Sequence, residues 1–251
     1  MNAMKLRKTF FCLKYLTVLT IVWSNEAGSL SHIEPIHSHD ELMIDLDAGW
    51  ESRYFSEGRD ALDGKSLWTG ALSLGYNHFS GGVWYGRSSS HNYDELQYNL
   101  SLSEKTGDLS FYAGYTHLVF SKDDESDDEW SIGIAYEDLP YAIGTSIDST
   151  YSMDAKGIFY EWSTYREFSL NDNSSMTLSA TLGLNDDYVS DGHNGANFYA
   201  LSVGIEKEIL EDLSFFGHGM QSFAIDRDLS LMGDQQLKDF FHFGLGIQYN
   251  F

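Results

Sequence analysis

The sequence predicts an all-β fold, a transmembrane up-and-down antiparallel β-barrel of about twelve strands, and three observations carry that prediction. The chain ends in FFHFGLGIQYNF, which puts Phe241, Phe243, Leu245, Ile247, Tyr249 and Phe251 on one face of an extended strand and His242, Gly244, Gly246, Gln248 and Asn250 on the other. One wholly apolar face ending on an aromatic residue suits the closing strand of a Gram-negative outer-membrane barrel, where it doubles as the signal read by the assembly machinery. The second observation is composition. The 251 residues include 16 Tyr, 16 Phe, 6 Trp and 23 Gly but only 2 Pro, which favours long strands, aromatic girdles and tight turns. The third is the repetition of two-residue alternation along the chain, at a spacing of roughly seventeen to twenty residues per strand and connection.

Other classes are excluded on the same data. No apolar run reaches the roughly 18 residues that a membrane-spanning helix needs. A formal charge of -23 with only 15 Lys and Arg removes nucleic acid as a partner, because phosphate binding needs basic clusters.

Residues 1–27 read as a secretory signal peptide: Lys5, Arg7 and Lys8 form a basic start, and an apolar core runs from Phe10 to Trp23. The single cysteine, Cys12, falls inside it, so the mature protein is expected to be free of thiols and disulfides. Residues 28–41 lack periodicity and are expected to form a short periplasmic segment. His37, His39 and Asp40 there are read as a solvated tail, since a His-x-His pair lacks the further ligands of a closed metal site.

The barrel is expected over 42–251. Its first strand, 42–55, directs Leu42, Ile44, Leu46, Ala48 and Trp50 to lipid and Asp45, Asp47, Glu51 and Arg53 to the lumen. The second and third, 66–78 and 82–89, are expected to meet at a tight FSGG turn around Ser80. The fourth, 95–104, sets Leu96, Tyr98, Leu100 and Leu102 against Glu95, Gln97, Asn99 and Ser101. The remaining eight are expected at 109–120, 130–138, 141–149, 157–168, 176–185, 197–208, 213–225 and 239–251, each near the roughly nine to eleven residues of a tilted transmembrane strand. Short connections alternate with longer polar ones, which places both termini on the periplasmic side.

Phase puts Asp45, Asp47, Glu51, Glu95, Glu137, Asp148, Glu161, Glu167 and Glu206 on the lumen side, with Arg53 the clearest basic partner. Such a wall concentrates cations and repels anions in an open pore. It can equally plug a narrow barrel through hydrogen bonds to neighbouring polar side chains. The acidic loop SKDDESDDE at 121–129 lacks the spacing and glycine of an EF-hand and is read as solvated, as is the turn-rich 185–197.

SRYFSEGRD at 52–60, GGVWYGRSS at 81–89, YDELQYNLSLSEKTGDLSFYAGYTHLVF at 93–120 and the ending FGLGIQYNF resemble the TorF-type (Gcw_chp) family of outer-membrane proteins. Where that family carries an Arg-Gly pair after its first aromatic step, this chain has Ser56, Glu57, Gly58 and Arg59. The resemblance implies an integral outer-membrane protein, a small channel or transporter without a settled substrate.

The functional expectation is a monomeric, narrow, porin-like channel or uptake protein for small solutes, cation-preferring, in contact with outer-membrane lipid and lipopolysaccharide. No cofactor, metal or catalytic residue is expected. Two rivals stand beside it: an outer-membrane lipid hydrolase or deacylase, and a plugged structural or adhesive barrel acting through its loops. For the hydrolase the candidate histidines are His78, His91, His117, His193, His218 and His242. The expected register sets His218 and His242 some four residues apart along the ladder, too far for one constellation.

Overall fold

The computed structural model describes residues 42–88 and 93–251. The signal-peptide reading, Cys12, the 28–41 segment with His37, His39 and Asp40, and His91 all lie outside them. The described chain forms β1 (Met43–Glu51), a small hairpin of β2 (Phe55–Ser56) and β3 (Arg59–Asp60), β4 (Leu67–Tyr76), β5 (Phe79–Ser88), β6 (Tyr93–Thr106) and β7 (Leu109–Phe120). It continues with β8 (Glu125–Leu139), β9 (Ile143–Ser152), β10 (Ile158–Asn171), β11 (Ser174–Asp186), β12 (Gly195–Leu210), β13 (Leu213–Ala224) and β14 (Phe240–Asn250). All strands except β2 and β3 form one closed antiparallel barrel of twelve, in sequence order, with β14 returning to β1. Closure leaves no strand edge, which is what a sheet surrounded by hydrocarbon requires.

The alternation read from the sequence is the alternation of exposure. Leu100 is 65% exposed and Ile132 63%, whereas Glu95 and Ser110 are fully buried. Leu46, Leu74 and Leu245 are exposed, and Ser73 and Gly246 lie on the opposite, buried face of their strands. Exposed aromatics collect in two belts: Tyr76, Phe79, Tyr136, Tyr141 and Phe251 near the short turns, and Trp68, Tyr85, Trp130, Tyr151, Tyr199 and Phe241 near the long connections. This is an integral outer-membrane barrel, with the apolar belt outside and the polar residues within. Both described ends of the chain lie at the short-turn end, where the Phe251 N–H donates to the Ile44 carbonyl at 2.9 Å.

Several strand boundaries depart from the expectation, and three of the departures have a clear local setting. The first strand ends at Glu51, not 55, because Ser52 turns away from the ladder, its N–H still donating to the Phe243 carbonyl and its Oγ accepting from the Phe243 N–H, both at 2.9 Å. The tight turn sits at Asn77 and His78 and not at FSGG, since Asn77 takes a left-handed φ of 54° and lets Phe79 begin β5 paired with Tyr76. The loop expected at 121–129 closes at 124: β8 starts at Glu125, and its acidic residues remain paired with β7 as far as Phe120.

The buried apolar residues do not fill the barrel. They gather at the long-connection end, as a cluster of Phe55, Phe159, Phe198, Ala200, Met220, Leu237 and Phe240 and a smaller one of Tyr54, Leu62 and Leu67. Both include the segment after β1, which folds inward instead of projecting outward.

Candidate functional site

The interior wall is acidic from end to end. Asp45, Glu51 and Glu95 are buried; Asp47, Glu137, Asp148, Glu161 and Glu206 are partly buried; Glu167 is exposed near the short-turn end. Glu161 and Asp148 stand directly opposite each other across β10 and β9, a like-charge pair. Several of these carboxylates are held by neutral donors. Tyr112 donates to Asp148 at 2.9 Å, and Tyr54 (2.6 Å), Tyr93 and Gln97 all donate to Glu95. Such partners orient a carboxylate without cancelling its charge. Basic groups are few and already engaged: Lys105 binds Glu137 at 2.8 Å, and Arg53, which lies beyond the end of β1 and not within it, binds Asp60.

The long-connection mouth is occupied by the β2–β3 hairpin. Gly58 at its tip has a φ of +79°, and a Cβ there would lie 2.5 Å from the Phe198 ring, so only glycine allows this approach. Arg59, next to it, donates to the Gly233 carbonyl (2.6 Å), the Glu57 carbonyl (2.8 Å) and Asp234 (3.2 Å). Asp234 also accepts from the Asp228 N–H at 2.9 Å and contacts the His193 ring at 2.5 Å. Lys238 closes the far side, 3.3 Å from Asp60 and 2.7 Å from Asp63. The first, fifth and sixth long connections are thereby tied together. Burial pushes the Glu57 carboxyl up and the Arg59 guanidinium down. Asp234 is also pushed up by burial, but its N–H donors and His193 outweigh that and hold it below the ordinary carboxylate range.

Beneath the hairpin, three side chains converge on the wall. Glu51 pairs with Gly244 across β1 and β14, and Gly244 pairs with His218 across β14 and β13. Gly244 has no side chain, so the Glu51 carboxylate reaches over it and comes within 3.1 Å of His218 Nε2. His242, two residues along the same face, lies with Nδ1 3.9 Å from Glu51 Oε2, and the two imidazoles meet edge to face at 5.5 Å between centroids. The expected four-residue separation of His218 and His242 is therefore wrong. β14 begins by pairing Phe240 with Ser222, not with Ala224, because Phe223 and Ala224 pair only with β12, and this moves the register by two residues.

The other histidines among the described residues are dispersed. His78 contacts Glu104 at 3.0 Å in a short turn, His117 contacts Asp128 at 2.8 Å on the outer face, and His193 belongs to the mouth. Asp127, which lies in β8 and not in a loop, accepts from the Asp154 N–H at 3.0 Å and from the Ser152 hydroxyl. Arg59, Asp234 and Phe55 escape a reading of the sequence because their partners lie far along the chain. The acid–base alternation in Glu57, Arg59 and Asp60 was the one visible sign, and it is shared by ordinary surface loops.

No protein-family model matches the chain, and no curated protein matches it by sequence. Solved structures do match by shape. The KdgM porin superposes with a TM-score of 0.56 at 8% identity, covering 83% of this chain and 99% of its own. The NanC porin gives 0.52 at 11%, covering 82% and 98%. An outer membrane channel from Pseudomonas putida F1 gives 0.56 at 10%, covering 89% and 100%. KdgM is also described in complex with disordered oligogalacturonate. At these identities the likeness is one of fold.

Proposed function

We propose that this barrel is a narrow, porin-like channel for small solutes across the outer membrane, favouring cations and neutral molecules over anions. The observation that carries this reading is the interior wall, where buried carboxylates are oriented by tyrosine and glutamine while the few basic groups are spent on local pairs. Charge in a confined, low-dielectric path is screened less than charge on a loop, so such a wall sets ion preference. The wall disfavours a polyanion of the oligogalacturonate kind, and a small cationic or neutral solute fits it better. The fold shared with the KdgM and NanC porins supports the channel reading, and the motif resemblance to the TorF-type family is in line with it.

The same reading takes the chain to be a monomer, bathed in lipid and lipopolysaccharide, with Phe243, Leu245, Ile247, Tyr249 and Phe251 as the assembly signal; these five are exposed on the outer face of the last strand and its end. It assigns no catalysis. Both ring nitrogens of His242 and Nε2 of His218 lack a hydrogen-bond partner among the described residues.

In planar bilayers the purified barrel is expected to give small, cation-preferring conductances, and Asp47→Asn with Glu161→Gln is expected to reduce that preference more than neutralising Asp123 and Asp124 outside. Anion preference in the parent protein would overturn the reading. The buried hairpin favours a second one, a barrel held shut at its mouth. Silence in the parent together with current in Gly58→Ala, which forces the hairpin off Phe198, would establish that shut state instead.

A further inference from the structure

We propose that Glu51, His218 and His242 form a binding site for one divalent transition metal, zinc being the best fit, in the wall of the barrel below the mouth hairpin. Their ligand atoms lie within 4.8 Å of one another. Around a zinc ion with bonds of about 2.0 to 2.2 Å, tetrahedral ligands sit about 3.3 Å apart. The 3.1 Å from Glu51 Oε2 to His218 Nε2 and the 3.9 Å to His242 Nδ1 bracket that spacing, so small side-chain rotations bring all three to one centre.

These atoms are not otherwise employed. Glu51 Oε2, His218 Nε2 and both nitrogens of His242 are buried and have no hydrogen-bond partner among the described residues. Exposure of the three side chains is 6%, 4% and 0%. The approach of Glu51 to His218 is close but misaligned for a hydrogen bond, so proximity alone does not satisfy either group. Buried polar atoms that converge without bonding one another call for a further partner, and a cation between them would satisfy all three.

The donor set selects the metal. Two imidazoles and one carboxylate suit zinc and its transition-metal neighbours, whereas calcium and magnesium take oxygen ligands. Three protein ligands leave a fourth position for water or a passing solute. The surroundings are those of a metal site rather than of a pore-lining charge. Phe55 of the hairpin stacks on His242 at 5.6 Å and 14°, and Phe240 lies at 6.1 Å, which fixes the imidazole and limits water from the mouth side. Gly244 is part of the design, because a Cβ at that position would stand 2.2 Å from the Glu51 carboxylate and push it out of reach. The site does not depend on whether solute passes through the barrel.

The test uses the folded full-length barrel, stripped with chelator and titrated with zinc chloride alone. Calorimetry and elemental analysis after gel filtration are expected to show one zinc per barrel, and cobalt substitution is expected to give the visible bands of a four-coordinate site. His242→Ala, His218→Ala and Glu51→Gln should each weaken zinc by about tenfold or more. His117→Ala, on the outer face, should leave it unchanged. Heat-modifiable migration checks that each variant has folded, and His242→Gln replaces the alanine variant should that one fail. The parent barrel's failure to retain zinc would overturn the site whatever the variants do, as would retention that survives the loss of both histidines.

Discussion

Gly244 decides at the level of single atoms whether Glu51 can meet His218. The atoms a new Cβ would strike are the carboxylate oxygens of Glu51, the free end of a flexible side chain, and not backbone. Gly244→Ala is therefore expected to cost no more than about 1 kcal/mol in urea unfolding while displacing Glu51 from His218, visible as weakened zinc binding with the barrel intact. Loss of folding in this variant would show that the wall around Gly244 is more rigid than its contacts indicate. Each member of this site was legible in the sequence: Glu51, His218 and His242 all fall on the interior phase of their strands. Their meeting was not, because it rests on a two-residue offset between β13 and β14 that alternation leaves undetermined. A slip of two keeps every side chain on its own face and so leaves no trace in the pattern.

Among the elements, the β2–β3 hairpin was invisible beforehand. Strands of two residues carry no period, and their burial depends on partners such as Phe198, Gly233 and Asp234, which lie far along the chain. The long strands, by contrast, announce themselves through many successive alternations. The hairpin has a pH response whose two limbs differ in sign. Burial raises the Glu57 pKa, so the ionised form opposes the inward seat, and that opposition fades as pH falls through the raised value. Asp234 is depressed in the folded state; its contribution is complete above the unfolded value of 3.8 and is lost as pH falls through the folded one. Acidification through the raised Glu57 value should tighten the hairpin, and acidification below about pH 4 should release it. A fluorophore on Asp63→Cys in a barrel lacking residues 1–27, and so otherwise free of cysteine, would report both limbs, and Glu57→Gln should abolish the first. Steady loosening from neutral pH downward would show that the carboxylates do not act in this way.

At the scale of the whole molecule, the outer surface is the best-determined property of the chain. Leu100, near the middle of β6 and opposite Tyr115 on its neighbour, faces hydrocarbon. Leu100→Arg is expected to destabilise the barrel by roughly 2 to 4 kcal/mol in lipid, read by unfolding in vesicles; an effect near zero would place this position outside the hydrocarbon. The strand count and inside-outside phase were legible because each repeats along the chain, whereas mouth contacts and ladder offsets occur once each and leave no repeating signature. Closure carries one more consequence, and it concerns order in time. β1 is the first strand made and β14 the last, yet they are neighbours, so their pairing must await every strand between them. Glu51 stands on one lip of that seam, His242 on the other, and His218 on β13 just behind it. The three-residue cluster thus exists in no half-built barrel: it comes into being when the ring is completed, and an ion held there clasps the beginning of the chain to its end.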